Sequence, residues 1–152
     1  MAATFLPKKP LDPKAQALKL LARREHSARE LKRKLEARGI SADDAVAAVA
    51  HATAQDWQSD GRYAGMLVRS RVARGYGPVR IEAELKVAGV RTDEIRAALD
   101  AAGIDWREHA IAARAKKFGA APGTSAARAK QYRYLQGRGF DAGQISAALK
   151  AD

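Results

Sequence analysis

A pattern that returns every 50 residues constrains this 152-residue chain more than any other feature. Glycines stand at Gly39, Gly89 and Gly139. Each follows a leucine by four residues (Leu35, Leu85, Leu135) and is followed at once by an apolar residue (Ile40, Val90, Phe140). Six and ten residues after each glycine comes an apolar pair: Ala45 and Val49, Ile95 and Leu99, Ile145 and Leu149. Self-similarity at a fixed period is the mark of a repeat architecture, in which each copy is one small supersecondary unit.

The spacing inside each copy predicts helices. Leu31 with Leu35, and Ile81 with Leu85, lie one turn apart on one face. The glycine then ends the helix in the left-handed conformation, where a Cβ is penalised, and the apolar residue folds back on the last turn as in a Schellman motif. A new helix follows at once. Ser41 with Asp44, and Asp141 with Gln144, have capping-box spacing, and Thr92 is the nearest comparable cap in the second copy. Upstream, Ser27 with Glu30 opens the middle helix of the first copy, and Gly77-Pro78 opens that of the second with proline at the first helical position. Before these, 17–24, 63–74 and 111–118 read as a first helix.

Each module is therefore helix, turn, helix, glycine turn, helix, with boundaries near 14–60, 61–109 and 110–152 behind a flexible basic tail over 1–13. Asp56-Trp57 and Asp105-Trp106 fall near the end of a module's last helix in this reading. The third copy departs from the pattern through a longer turn over 119–124 and through Gln131, which stands where Leu31 and Ile81 stand in the others. The expected fold class is all-α: three tandem three-helix, helix-turn-helix-like repeats. A single unit of this size buries little surface, and stacking supplies the remainder.

The residue inventory argues against an enzyme. The chain has no cysteine, which excludes disulfides and thiolate metal sites. His26, His51 and His109 are far apart in sequence and form no ligand pair. No phosphate loop, nucleophile elbow or HExxH appears. Gly75-x-Gly77 lacks the third glycine of a dinucleotide fingerprint. Asp43-Asp44 fits the positive end of a helix dipole. No catalytic residue, metal or cofactor is expected. No apolar run reaches the ~20 residues needed to cross a bilayer, and the first ten residues hold no signal-like core, so a cytoplasmic protein away from membranes is expected.

Charge suggests what is bound. Lys and Arg number 28 against 17 Asp and Glu, a net charge of +11. Residues 14–60 carry nine basic and seven acidic side chains, and so do residues 61–109, whereas residues 110–152 carry eight and two. In the first two modules opposite charges share helix faces. The third is unbalanced through Arg114, Lys116, Lys117, Arg128, Lys130, Arg133 and Arg138. Such a face attracts phosphate backbones. Tyr132 and Tyr134 are interleaved with Lys130 and Arg133, a mixture able to stack bases while holding phosphates; the competing reading packs one tyrosine in the core. A second basic cluster, Arg69, Arg71, Arg74 and Arg80, surrounds the turn Gly75-Tyr76-Gly77-Pro78 and offers contacts to phosphate or carboxylate.

These residues resemble a known family. Asp60-Gly61-Arg62-Tyr63-Ala64, Arg69-Ser70-Arg71, Arg74-Gly75-Tyr76-Gly77-Pro78-Val79-Arg80-Ile81 and Glu84-Leu85 through Gly89-Val90 are similar to the middle section of bacterial RecX regulatory proteins. Ala17-Leu18 and Leu31 through Gly39 are similar to their opening section. The resemblance implies a curved solenoid of three-helix repeats that lodges in the groove of the filament of the RecA recombinase with single-stranded DNA; separately, a monomer is expected. It implies inhibition of RecA recombinase, ATPase and coprotease activities, and so a part in regulating DNA repair, homologous recombination and the SOS response. Two other readings stand beside it. One is a stand-alone helix-turn-helix protein, with Arg91 or Arg96 on a reading helix, although the third helices carry few side chains able to read base edges. The other is a helical scaffold for an acidic protein.

Overall fold

The computed structural model describes residues 10–151. Among them, nine helices and no strands occur: α1 Pro13–Arg23, α2 Ala28–Ala37, α3 Ala42–Ala54, α4 Asp60–Ala73, α5 Pro78–Val87, α6 Thr92–Ala101, α7 Trp106–Phe118, α8 Ser125–Gly137 and α9 Ala142–Lys150. The basic tail expected over 1–13 falls mostly outside the described residues; Asp12 caps α1 through a bond from the Lys14 N–H, and Pro13 is its first residue. The helices form two compact units, one ending at Ser59 and the other starting at Asp60.

The repeat works locally as its spacing implies. Gly39, Gly89 and Gly139 have φ of 91°, 83° and 94°. The N–H groups of Ile40, Val90 and Phe140 donate back to the carbonyls of Leu35, Leu85 and Leu135 at 3.3, 3.0 and 3.2 Å. These bonds close the last turn and satisfy carbonyls that a helix end leaves without partners. The three leucines are fully buried, each at the centre of its own three-helix core.

In the first unit, α1, α2 and α3 enclose Ala17, Leu20, Leu31, Leu35, Ala45 and Ala48. Ser27 and Ser41 cap α2 and α3 by accepting from the N–H groups of Glu30 and Asp44. The chain after α3 is tied down by Gln58, whose buried amide donates to the His26 carbonyl at 3.3 Å and accepts from Thr53 Oγ1 at 2.8 Å. His26 is buried; its Nδ1 bonds the Arg24 carbonyl and its Nε2 bonds Lys34 Nζ, both at 3.0 Å.

The second unit holds two such bundles. Three local expectations change here. Thr92 is not the cap of α6: Arg91 holds that position without a side-chain bond, and Thr92 is already the first helical residue. Asp105-Trp106 does not close a module. Gly103, at φ 62°, ends α6 first, and Asp105 then caps α7 by accepting from the N–H groups of Arg107 and Glu108. The first helices also begin earlier than their apolar spacing suggests, because polar caps rather than apolar residues set their starts. Asp141 and Gln144 form the complete reciprocal capping box expected of them.

In the third copy two buried polar side chains fasten the longer turn. Gln131 is buried and its amide donates to the Ala120 carbonyl at 3.4 Å, fastening the longer turn to α8. Arg114 is buried at 2% exposure, and its guanidinium reaches the carbonyls of Ala148 at 3.0 Å, Ala151 at 2.7 Å and Gly119. A cation placed at the carbonyl ends of α7 and α9 meets their negative dipole ends as well as their free acceptors. Arg114 is thus removed from the set of DNA-contact candidates, because all its reach is spent inside the fold.

Candidate nucleic-acid interface

The two basic clusters are brought together by backbone rather than by charge. α5 begins at Pro78, so its leading N–H groups need outside acceptors. The Gly77 N–H donates to the Arg138 carbonyl at 2.8 Å and the Val79 N–H to the Gly139 carbonyl at 2.9 Å. The approach requires glycine on both sides. A Cβ on Gly77 would lie 2.6 Å from the Gly139 carbonyl carbon, and one on Gly139 would lie 2.7 Å from the Arg80 nitrogen. The α4–α5 turn of the second module therefore docks on the α8–α9 turn of the third.

Side chains reinforce this junction. The Arg138 guanidinium donates to the carbonyls of Gly75, at 3.4 Å, and Arg74. Its carbon lies 3.8 Å from the centre of the Tyr76 ring, and that of Arg80 lies 4.0 Å from the same centre. Such cation–π contacts hold the charges in place while leaving their edges open to solvent or ligand. His109 of α7 lies behind the junction, 5.7 Å from the Phe140 ring and 5.8 Å from that of Trp106. Burial lowers its pKa below the usual histidine value, and a hydrogen bond to the Tyr76 backbone opposes this only in part.

Beside the junction is a pocket of about 210 Å³, lined by Arg74, Gly75, Ala113, Lys116, Lys117, Tyr134 and Arg138. Ala113, Lys116 and Lys117 share one face of α7 by their three- and four-residue spacing. Arg74, Lys116 and Lys117 are exposed. Lys117 Nζ lies 5.6 Å from the Tyr134 ring, which Phe118 supports edge-on at 5.3 Å. No carboxylate lines this pocket.

Other basic candidates are placed elsewhere. Arg71 pairs with Glu84 at 2.8 Å, so its charge is already met. Arg69 borders a separate, largely apolar groove of about 630 Å³ between α4 and α6. Arg80 is exposed on the junction; Arg128, Lys130 and Arg133 are exposed on α8 outside the pocket lining. Tyr132 and Tyr134 are both half-buried against the third core, and Tyr134 also reaches the pocket wall. Tyr76 is not among the stacking candidates the sequence offers, and Arg138 enters there only as part of the third module's charge excess. Their neighbours give no signal: the slot of Arg138 holds Arg38 in the first copy, which bonds Gln16 instead, and Ala88 in the second.

The three modules match, in order, the three-helix domains of one known family. The RecX first three-helix domain matches residues 14–51, the second matches 59–99 and the third matches 105–149. The chain belongs to the RecX family. Regulatory protein RecX of Stenotrophomonas maltophilia (strain R551-3) is 45% identical over 141 residues, 92% of this chain and 86% of its own. Regulatory protein RecX of Xanthomonas campestris pv. campestris (strain B100) is 43% identical over 92% of this chain and 87% of its own. Among solved structures, RecX from Lactobacillus salivarius has a TM-score of 0.75 at 20% identity, covering 91% of this chain and 92% of that one. A second RecX crystal structure has the same TM-score at 18% identity, covering 92% and 73%. The RecX resemblance read from Asp60–Ala64 and Arg74–Ile81 is thus upheld over most of the chain, and so is the all-α repeat fold. No helix among the described residues is long and apolar enough to cross a membrane.

Proposed function

We propose that this RecX-family protein is a regulator that binds the RecA filament on single-stranded DNA and lowers RecA's ATP hydrolysis, strand exchange and coprotease activity. The observation that carries the reading is the match of all three RecX three-helix domains, in order, along one chain. The name carried by its relatives, regulatory protein RecX, supports a regulatory role. The DNA side of the reading is supported by the exposed Arg74, Arg80, Lys116 and Lys117, gathered at one junction of the second unit. The protein acts by occupancy, in the bacterial cytoplasm, with no reaction of its own.

The test is a titration of the protein into RecA on single-stranded DNA while ATP hydrolysis is followed. The rate falls as the protein is added, and the protein sediments with filaments. An unchanged rate together with no co-sedimentation overturns the reading. Selective binding to one defined duplex, far above random duplex at physiological salt, favours the stand-alone helix-turn-helix alternative instead.

A further inference from the structure

We infer that the pocket between the α4–α5 turn, α7 and α8 is a phosphate site that takes the backbone of a single strand. The inference rests on the DNA side of the function proposed above and gives it a location. Three basic side chains of the same unit are matched by acids: Arg71 with Glu84, Lys86 with Glu82, Arg91 with Asp93. The pocket differs from the unpaired cations spread along α8 in gathering its charges around one cavity. Arg74, Lys116, Lys117 and Arg138 converge on about 210 Å³ with no carboxylate in the lining. Like charges gathered this closely repel each other unless an anion joins them.

The site is also held in shape. Arg138 is fixed by the carbonyls of Gly75 and Arg74 and by the Tyr76 ring. The Gly77–Arg138 backbone bond locks the two turns that carry it. Donors fixed before binding lose less freedom when a ligand arrives. Arg74 and the two lysines are exposed, so they reach an incoming phosphate without unfolding anything. Tyr134 gives the wall an apolar face against which a sugar or base can rest. The cavity suits one sugar–phosphate unit and its waters.

A charge-matched pair of variants tests this on the full chain without RecA. Lys116→Gln/Lys117→Gln removes two charges from the pocket; Arg107→Gln/Lys150→Gln removes two from exposed positions of the same unit outside it. Binding of a fluorescent oligothymidylate is measured across a salt series, with inorganic pyrophosphate as a second probe, and circular dichroism checks folding. The pocket variant binds the strand weaker by roughly tenfold or more, and its log–log salt slope shallows by roughly 0.7 per lost contact, while the control stays close to the parent. Equal losses in both variants mean diffuse attraction and overturn the site, as does no loss in the pocket variant. Saturable pyrophosphate binding that the pocket variant loses, with strand binding intact, also overturns it by making a free phosphate the ligand. Each of these failures leaves the RecA titration standing, and a silent RecA titration leaves the pocket measurement standing.

Discussion

The N–H of Gly77 donates to the carbonyl of Arg138 at 2.8 Å, joining the start of one helix to the end of another module's. The bond satisfies a donor that α5 cannot satisfy itself, and it allows the Arg138 side chain to turn back over Gly75 and Tyr76. Much of the candidate interface depends on that one close approach.

The repeat glycines should therefore differ when replaced. Gly39 has open space around it, so Gly39→Ala meets only the left-handed backbone and costs about 1–2 kcal/mol. Gly139→Ala meets the same backbone preference and also collides with Arg80. Its loss of stability in urea unfolding exceeds that of Gly39→Ala, and Gly77→Ala, which meets the Gly139 carbonyl, follows it. Equal losses at Gly39 and Gly139 would refute the docking role of the third glycine turn.

Arg114 separates fold from binding. Replacing it with Ala leaves three carbonyls without their donor, so the second unit is destabilised by about 3 kcal/mol or more. At temperatures where the variant remains folded, the salt slope of strand binding matches the parent's. A slope shallower by a full contact in folded protein would restore Arg114 to the interface.

The repeat leucines make a third case. Leu35, Leu85 and Leu135 are fully buried, and each replaced by Ala should cost about 2–5 kcal/mol through lost burial and a residual cavity. Differential scanning calorimetry measures it. A cost near zero at any of the three would show that its core collapses without penalty.

Stability should also follow histidine protonation. Burial pulls His26 and His109 below the usual histidine pKa, more than the hydrogen bond each ring donates to the backbone can restore. The folded protein then binds fewer protons than the unfolded chain, so the contribution of these residues is fully present above about pH 6.5 and declines as pH falls through that value towards the folded pKa. Glu30 acts at lower pH. Burial pushes it up, but the bond from Arg24 and the charges of Arg24, His26 and Lys34 outweigh this and leave it lowered, so its contribution is full above the ordinary glutamate value and declines as pH falls through that value towards the folded pKa. Unfolding midpoints at pH 7.5 and pH 5.5 should differ in that sense. His26→Gln with His109→Gln should reduce the difference; an unaltered difference in the double variant would place its origin elsewhere.

Much of the fold was legible because it is local. Leu35 to Ile40 and its two echoes specify a buried face, a left-handed glycine and a returning apolar residue within one stretch of chain, and these determine helix ends wherever the module sits. The capping of α9 by Asp141 and Gln144 was readable for the same reason. Thr92 and Asp105-Trp106 were misread because alternative caps lay one or two residues away, and spacing does not choose between them.

The sequence by itself determined three copies of one helical frame, the family to which they belong and an excess of positive charge in the last copy. It did not determine which of those charges are available. Arg114, Lys116 and Lys117 are near neighbours on one helix, yet the first faces the carbonyl ends of α7 and α9 and the other two face solvent. Arg71 meets Glu84, while Arg74 meets no acid in its pocket. The physical reason is that helix periodicity sets direction about a helix axis, whereas burial and ion pairing depend on what the neighbouring helices bring to that side. Only the docking of the Gly77 turn on the Gly139 turn decided that Tyr76, Arg138 and Lys116 belong to one place.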